Sequence, residues 1–340
     1  MGLSAYGRDF QLTGVEVCLG HDCTLQFRPM LGSHLSIAGG MTLALEAAVQ
    51  LKLECLQVFT KNQRQWRVKP LENTAIDLWT AQLKRMKWLS NDGCRRVVSH
   101  NSYLINLASP DKSNWSRSLE LQRVEMERCE TLMIPLLVAH PGAHLGESLP
   151  PGTPHKLGAK ASKDEQAGLK RIVRALDRLH KDLPGYRVRT CLETTVGSGT
   201  NLGYDFAHLE WIRNAVREPE RIGFCFDTCH VTAAGYDMGT DAKAEKVLKQ
   251  FEAGPGFDQL LVFHLNDSVG ALSSRRDRHA HIGEGHCGKS AFRAILDHPC
   301  LRSRPMILET PKGDTPKGTP WDTINIRRLR RLSVANRKSR

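Results

Sequence analysis

The 340-residue sequence has few aromatic residues and no long hydrophobic run. Only 6% of its residues are Phe, Trp or Tyr, and no apolar stretch approaches the roughly 18 residues that a membrane-spanning helix requires. The first residues also lack an apolar core behind a basic start, so we expect neither a transmembrane segment nor a secretory signal. These absences predict an intracellular protein that acts away from the membrane, in the nucleus if the source is eukaryotic and in the cytoplasm if it is bacterial.

Paired cysteines are absent as well. The ten cysteines are scattered singly and form no CxxC pair. In a chain of this length the pattern is typical of reduced thiols inside a cell rather than of a disulfide framework. We expect nearly all of them to be small buried hydrophobic residues.

Charge is plentiful but unevenly distributed. The formal net charge is +12, which favours a polyanionic partner such as nucleic acid. Residues 326–340 contain seven Lys or Arg residues and no acid, so this end supplies more than half of the excess. A solvated basic tail explains that part equally well, and the charge alone leaves both interpretations open.

A repeating unit predicts the fold: a short apolar run, a turn, and then a helical pattern. Strands that alternate with helices form right-handed βαβ units and a parallel sheet, and eight such units over about 300 residues match a single-domain (β/α)₈ TIM barrel of the α/β class. An open doubly wound sheet is the competing fold, but no GxGxxG follows the first run. The predicted strands are Leu31–Ser36, Cys55–Thr60, Arg95–His100, Pro135–His140, Val188–Glu193, Ile222–Asp227, Leu260–Asn266 and Pro305–Thr310. The predicted helices are Thr42–Lys52, Thr74–Leu89, Ser116–Leu132, Glu165–Lys181, Phe206–Ala215, Ala242–Phe251, Lys289–Leu296 and Trp321–Leu332.

The same pattern divides the chain into three parts. Residues 1–30 have weak periodicity and are interpreted as an extension, residues 31–325 as the barrel, and residues 326–340 as a basic tail. Within the barrel, residues 146–166 are predicted to form a surface excursion before a helix, and residues 311–320 a loop.

Ligand-capable side chains stand at the ends of six consecutive predicted strands. The run that ends in Asp227 is followed by His230, and a later loop carries Asp277 and His279, which point to one side of an extended segment. In a barrel all these ends meet on one face, where enzymes of this fold keep their active sites. Buried, unpaired carboxylates are costly, and a cluster of divalent cations removes that cost. The predicted metal ligands are His100, His140, Glu193, Asp227, His230, His264, Asp277, His279 and Glu309.

The composition of this set restricts the metal. Five imidazoles and four carboxylates suit Zn²⁺ and tolerate Mn²⁺ or Fe²⁺. Nine ligands are too many for one zinc ion, which takes about four, and three ions need about twelve positions, which leaves room for water and substrate oxygens. Four carboxylates against three dications leave a net charge of about +2, which suits a phosphate. Phosphodiester hydrolysis is therefore the chemistry that this set favours.

Long blocks of the sequence resemble endonuclease IV, the zinc-dependent apurinic/apyrimidinic (AP) endonuclease family of base excision repair. The resemblance runs from Gly32 to Pro311 and covers most of the chain. The matching blocks are GSHLSIAGG (Gly32–Gly40), FTKNQRQW (Phe59–Trp66), SHNSYLINLASP (Ser99–Pro110), HPGAHLG (His140–Gly146), LETTVGSGTNLG (Leu192–Gly203), FDTCHVTAAGYD (Phe226–Asp237), FHLNDS (Phe263–Ser268), SRRDRHAHIGEG (Ser274–Gly285) and MILETP (Met306–Pro311).

The resemblance implies three zinc ions held by the same nine residues. It implies that Glu193 bridges two metals and is the catalytic residue, that Asp227 belongs to the zinc pair, and that His230, Asp277 and His279 hold the third zinc. The implied reaction is hydrolysis of the phosphodiester 5′ to an abasic site, which gives a 3′-hydroxyl and a 5′-deoxyribose phosphate. Trimming of blocked 3′ ends is implied as well.

The resemblance also implies how DNA is recognised. Gln63 and Arg64 follow the second predicted strand and Tyr103 follows the third, and the matching residues of the family enter the minor groove of duplex DNA. Planar side chains there replace the stacking that a flipped abasic nucleotide gives up. Without the resemblance, Arg64 and Tyr103 would be interpreted as ordinary loop residues. We expect a monomer with no membrane contact.

Two other functions remain open at this stage. A metal-dependent sugar isomerase or epimerase of the same barrel superfamily would need neither the DNA-inserting loops nor a third metal set. A catalytically inactive DNA-binding protein would not need the intact ligand set. His34 and His144 also lie near the predicted site and are left unassigned, while His281 and His286 are expected to face solvent.

Overall fold

The computed structural model of the protein describes residues 28–91, 93–150 and 152–333. The predicted N-terminal extension lies outside these residues up to position 27, as do the last seven residues of the predicted basic tail. Met30, which was assigned to the extension, belongs to the first strand.

Eight parallel strands close into a barrel, as predicted. In chain order each strand pairs with the next, and the last pairs with the first, for example Gly32 with both Cys55 and Ile307. The barrel strands are β1 (Met30–His34), β2 (Cys55–Val58), β3 (Val97–His100), β4 (Leu136–Ala139), β5 (Arg189–Glu193), β6 (Ile222–Asp227), β7 (Leu260–His264) and β10 (Pro305–Leu308). Two short antiparallel strands, β8 (Asp267–Ser268) and β9 (His279–Ala280), form a separate ribbon above the barrel wall between β7 and β10.

Helices cover the outside of the barrel. They are α1 (Met41–Gln50), α2 (Asn73–Arg85), α3 (Lys112–Thr131), α4 (Lys163–Asp182), α5 (Phe206–Ala215), α6 (Thr228–Ala234), α7 (Asp241–Ala253), α8 (Lys289–Asp297) and α9 (Trp321–Leu332). Local chemistry sets several starts: Asp111 caps α3, and Ser162 and Glu165 form a capping box at α4. None of the described helices is both long and apolar enough to cross a membrane.

Side-chain alternation divides the core into two layers. In β6, Phe224 and Phe226 point outward and pack under the helices, whereas Cys225 points into the barrel. The inner layer consists of small or β-branched residues, because the interior of an eight-stranded barrel has little room. Seven of its members are Cys55, Val98, Val138, Cys191, Cys225, Val262 and Ile307.

The predicted boundary between barrel and tail is wrong. Residue 325 lies in the middle of α9, and Ile326 and Leu329 are buried where this helix packs against β1 and α8. The basic residues of this segment dominated the prediction, but those among its described residues belong to a helix whose apolar side packs against the barrel.

The described residues of the excursion predicted before α4 lie outside helices and strands up to Ser162, and Lys163 begins the helix. Two contacts hold its described part against the barrel. The His155 ring stacks on Tyr204 with a centroid separation of 3.6 Å, and the Arg275 guanidinium donates to the carbonyl oxygens of Pro150 and Thr153. The excursion is therefore packed onto the rim.

Candidate metal centre and the loops beside it

The strand alternation also places the predicted ligands. Residues two positions apart on a strand point the same way, so each inner-layer residue is followed by one that points into the barrel mouth. Six predicted ligands stand in this position, each two residues beyond an inner-layer residue: His100, His140, Glu193, Asp227, His264 and Glu309. The six side chains therefore form one layer, which lies directly above the inner layer of the core.

Glu193 lies at the centre of this layer and is fully buried. Its Oε2 atom is 3.2 Å from His100 Nε2 and 3.1 Å from His140 Nε2, while its Oε1 atom is 2.8 Å from His264 Nδ1. The two oxygens of one carboxylate therefore face two different groups of ligands.

The second of these groups lies deeper in the barrel mouth. Ligand atoms of Glu193, Asp227, His264 and Glu309 all lie within 4.8 Å of one another. His264 Nδ1 is 3.2 Å from Glu309 Oε2 and 3.8 Å from Asp227 Oδ2. Three carboxylates and one imidazole face a common point, an arrangement that a divalent cation would stabilise.

A third group lies outside the layer, toward solvent. His230 comes from α6, Asp277 from the loop before β9, and His279 from β9 itself. Asp277 Oδ1 is 3.2 Å from His230 Nε2 and 3.5 Å from His279 Nε2. All nine predicted ligands thus fall into three groups, and Glu193 belongs to two of them.

The separations within these groups fit zinc. Two ligand atoms that each lie about 2.0–2.1 Å from a tetrahedral ion are about 3.3 Å apart. Most of the close nitrogen–oxygen separations here are 3.1–3.5 Å. The shorter His264–Glu193 separation of 2.8 Å is a direct hydrogen bond.

The imidazoles are oriented so that one nitrogen is free for a ligand. The Nδ1 atoms of His100, His230 and His279 donate to the carbonyl oxygens of Asn101, Thr194 and Glu309. A carbonyl only accepts, so these contacts place a proton on each Nδ1 and turn each Nε2 toward the cluster. His230 Nε2 and His279 Nε2 are buried and make no hydrogen bond, and a bound cation would give both a partner.

Electrostatics favour cations throughout this cluster. Burial acts to raise the pKa of Glu193, but the imidazoles, His264 and His140 first among them, hold that pKa well below its usual range. Burial lowers the pKa of His264, yet Glu309 and Glu193 overcome this and raise it to about 9. The carboxylates therefore remain charged and draw positive charge to themselves.

Two thiols come close to the same atoms. Cys225 lies beside Glu193 and His264, and Cys229 beside Asp227 and His279. Burial and the nearby carboxylates raise the pKa of Cys225 well above its usual range and that of Cys229 to about 12. Both side chains are fully buried, as the sequence analysis expected for nearly all cysteines.

Gln57 completes the layer, and the sequence analysis missed it. Its Oε1 accepts from His264 Nε2 at 2.8 Å, and its Nε2 donates to Glu309 Oε1 at 2.7 Å. It also lies 2.9 Å from His34 Nδ1, so the unassigned His34 belongs to the same network. A sequence signal existed: Gln57 stands two residues beyond the inner-layer residue Cys55, as the ligands do in their strands.

Asn266 supports the ligands from the other side. Its amide nitrogen donates to Asp227 Oδ2 at 2.7 Å, and its oxygen accepts from the backbone N–H of Glu309 at 2.7 Å. The other oxygen of Asp227 caps α6 by accepting from the backbone N–H of His230. Asp227 therefore sets the direction of the helix that carries His230.

Of the three predicted DNA-binding residues, Tyr103 lies beside this centre. A cavity of about 440 Å³ opens over the metal groups and is lined by Tyr103, whose ring is 5.5 Å from that of His100. Tyr103 is 63% exposed. Arg64 is exposed and Gln63 is half-buried in the neighbouring loop. Arg278 also lines the cavity and supplies a permanent positive charge there, which the sequence analysis did not note.

Three further histidines that the sequence analysis considered, His144, His281 and His286, belong to none of the ligand groups. His144 is buried, and its Nδ1 accepts from the backbone N–H of Gly146 on the rim. His286 is exposed, as expected. His281 is not solvent-facing as predicted: it stacks on Trp321 at 3.8 Å and contacts Asn325 of α9.

Comparison with known proteins agrees with this architecture. The family model of the xylose isomerase-like TIM barrel matches residues 45–332. A probable endonuclease 4 of Trichlorobacter lovleyi is 40% identical over 302 residues, which cover 89% of this chain and 99% of the relative. A probable endonuclease 4 of Geotalea daltonii is 41% identical over 300 residues, or 88% of this chain and 96% of the relative. The chain belongs to the endonuclease IV family. As a member of this family, it is an enzyme of the nuclease class of hydrolases.

Solved structures agree with this membership. The crystal structure of endonuclease IV from Thermus thermophilus matches with a TM-score of 0.72 and 31% identity, and covers 89% of this chain and 98% of that one. A D-tagatose 3-epimerase-like protein matches with a TM-score of 0.62 at 16% identity, which shows a shared barrel alone.

Proposed function

We propose that this endonuclease IV family member cleaves duplex DNA at abasic sites. It hydrolyses the phosphodiester 5′ to the abasic sugar, leaves a 3′-hydroxyl and a 5′-deoxyribose phosphate, and trims blocked 3′ ends. Its cofactors are three zinc ions, for which Mn²⁺ or Fe²⁺ can substitute.

One observation carries the proposal: nine ligand-capable residues fall into three groups, and Glu193 belongs to two of them. His100, His140 and Glu193 would hold one ion, and Glu193 would share a second with three further residues, namely Asp227, His264 and Glu309. His230, Asp277 and His279 would hold the third. When bound, such ions make water more acidic and neutralise the charge that develops on a phosphate and its leaving oxygen.

The residues of the chain supply the orientation. Glu193 faces both inner groups, and from there it orients the attacking water toward phosphorus and accepts its proton. Asp277 and His279 stand on the solvent side, where the phosphate enters, and Arg278 adds positive charge to the same cavity. The inner layer of the core lies beneath the centre and excludes bulk water from that side.

Recognition uses the loops around the cavity. Gln63, Arg64 and Tyr103 would enter the minor groove and occupy the space that the flipped abasic nucleotide leaves. Flipping costs least where no base stacks, and a planar tyrosine ring or guanidinium replaces part of the lost stacking.

Incubation of the purified protein with a duplex that carries one abasic-site analogue tests this proposal. We expect a single incision 5′ to the analogue with a 3′-hydroxyl product. Glu193→Ala should lose on the order of 10²–10³-fold or more in rate and keep measurable affinity for the duplex. A folded, zinc-loaded protein that leaves the duplex intact would refute the proposal.

The alternative function, a sugar isomerase or epimerase, needs only one or two metal ions per chain. The metal content therefore distinguishes it from the proposed three-zinc nuclease. A content of one metal per chain together with no incision would favour that alternative.

A further inference from the structure

Helix α3 carries a polar stripe on the side that faces the barrel mouth. Gln122, Glu125 and Arg128 follow one another at intervals of three residues and so share one face of the helix. Gln122 and Glu125 are buried, among apolar neighbours such as Leu121 and Met126. Each of the three side chains contacts a loop that follows β2 or β3.

Glu125 forms a buried charge pair with Lys61. Lys61 Nζ is 3.6 Å from Glu125 Oε1, and the two side chains are only 5% and 1% exposed. Lys61 Nζ also donates to the carbonyl oxygens of Asn62 and Gln65, both at 2.9 Å. The ammonium group therefore closes the loop that carries Gln63 and Arg64.

The carboxylate of the same pair holds the neighbouring loop. Both oxygens of Glu125 lie 3.2 Å from the backbone N–H of Ser102, which precedes Tyr103. The Ser102 hydroxyl in turn donates to the carbonyl oxygen of Gln63 at 2.6 Å. Lys61, Ser102 and Glu125 thus form one connected unit, the loop clamp, that joins the two predicted DNA-binding loops.

The two other stripe residues support the clamp from both ends. Gln122 accepts from the side-chain amide of Asn101 at 3.0 Å, and Arg128 donates to the carbonyl oxygens of Thr60 and Lys69 at the two ends of the first loop. The backbone of both loops is therefore fixed from behind by α3.

A buried charge pair contributes little to the net free energy of folding. Removing two charges from water costs several kcal/mol, and an apolar pair of the same volume often serves stability as well or better. What such a pair does supply is a single arrangement of the groups that it binds, because any other arrangement leaves buried charge unpaired. Here the bound groups are backbone atoms of the two loops that carry the predicted DNA-binding residues, of which Tyr103 lines the cavity.

We propose that Lys61 and Glu125 are positioning residues that fix Gln63, Arg64 and Tyr103 relative to one another and thereby set the discrimination between abasic and intact duplex. This inference rests on the proposed function. It assigns to the clamp an effect on substrate recognition and none on the metal centre.

The test compares Glu125→Gln and Lys61→Met with the wild-type protein in its metal-loaded form. Each protein is assayed for bound metal, for kcat and KM on an abasic-analogue duplex, and for fluorescence of 2-aminopurine placed opposite the analogue. We expect KM to rise about tenfold in both variants, with kcat within about twofold and unchanged metal content. The 2-aminopurine signal on binding should fall, because misplaced side chains no longer fill the gap.

Two controls separate positioning from general damage. Glu120→Gln changes an exposed glutamate on the same helix that pairs with Arg123, and it should leave every readout at the wild-type value. The double variant Lys61→Met/Glu125→Leu replaces the charge pair by an apolar pair, and it should unfold near the wild-type temperature yet keep the raised KM.

The outcomes are distinguishable. Wild-type KM and 2-aminopurine signals in the folded double variant would overturn the positioning role and leave the proposed function intact. A parallel loss of metal and kcat in the single variants would also overturn it, because the residues would then act on the metal centre. A wild-type protein that does not incise the abasic duplex removes the proposed function and this inference together.

Discussion

Single side chains in this protein act mostly by holding other side chains in place. Gln57 binds no metal group directly, but its amide accepts from His264 and donates to Glu309. The first contact keeps a proton on His264 Nε2 and turns Nδ1 toward the centre, and the second restrains one carboxylate oxygen. Loss of such a supporting contact typically costs about 10–100-fold in metal affinity.

Gln57→Met therefore should weaken metal binding without unfolding the barrel. Methionine keeps the volume but offers His264 no acceptor and Glu309 no donor, so we expect a loss of about 10–100-fold in metal affinity. Competition with a chromophoric chelator measures this directly. Gln82→Met is a matched control, because Gln82 is buried in α2 and its amide nitrogen makes no hydrogen bond. Equal chelator resistance in both variants would contradict the role of Gln57.

Glu125 makes a pH-dependent contribution to stability with a definite sign. Burial raises its pKa from 4.5 to about 7, although Lys61 opposes this shift. Between these values the unfolded chain releases the proton while the folded chain retains it, so stability falls as pH rises through this window. Glu125→Gln removes this titration. The free energy of unfolding of the variant minus that of the wild type should therefore be larger at pH 8 than at pH 5, by roughly 1–3 kcal/mol. Denaturant titrations at both pH values check this, and a pH-independent difference would contradict it.

The sequence predicted all nine candidate ligands but not the residues that hold them. Seven of the ligands could be identified because each lies at or close to the end of an apolar run, whereas Asp277 and His279 come from the loop after the seventh run. Gln57 lies inside such a run, and the partners Lys61 and Glu125 are far apart in the chain, so only the folded barrel brings their roles together. His34 was left open and lies within the Gln57 network.

At the scale of elements, regular amphipathic segments were predictable and short buried ones were not. The helix Phe206–Ala215 and the strand Ile222–Asp227 were predicted with the bounds that the structure has. Helix α6 was missed because every residue of Thr228–Ala234 is buried, and a helix without a polar face has no helical hydrophobic pattern. Helix α9 was also predicted with the bounds that the structure has, but its run of arginines led to residues 326–332 being assigned to the basic tail as well.

The loop after β2 carries Arg64, whose side chain can be removed without disturbing the loop. Arg64 is exposed, and its backbone N–H is held by the Asn62 side chain, so the loop keeps its shape when the guanidinium is removed. Arg64→Ala should therefore keep the metal content and weaken binding to abasic duplex by about 1–3 kcal/mol, with a smaller loss for intact duplex. Fluorescence anisotropy with both duplexes measures the ratio. An unchanged ratio would show that Arg64 does not discriminate.

For the whole molecule, the barrel explains why residues from eight distant segments meet at one centre. All parallel strands end on one face, and residues two positions beyond the inner layer point to the axis there. The net charge of +12 suits a polyanionic substrate, although part of it lies on the outer face of α9 rather than at the cavity. The decisive feature is therefore the grouping of ligands and not the charge.

Zinc titration of the metal-free protein tests the central claim most directly. The protein is stripped with a chelator, and incision of an abasic-analogue duplex is followed as zinc is returned. The grouping around Glu193 predicts no incision at the start and a rise that reaches its plateau near three equivalents of zinc per chain. Incision that survives complete removal of metal, or that reaches its plateau at one equivalent, would contradict the account.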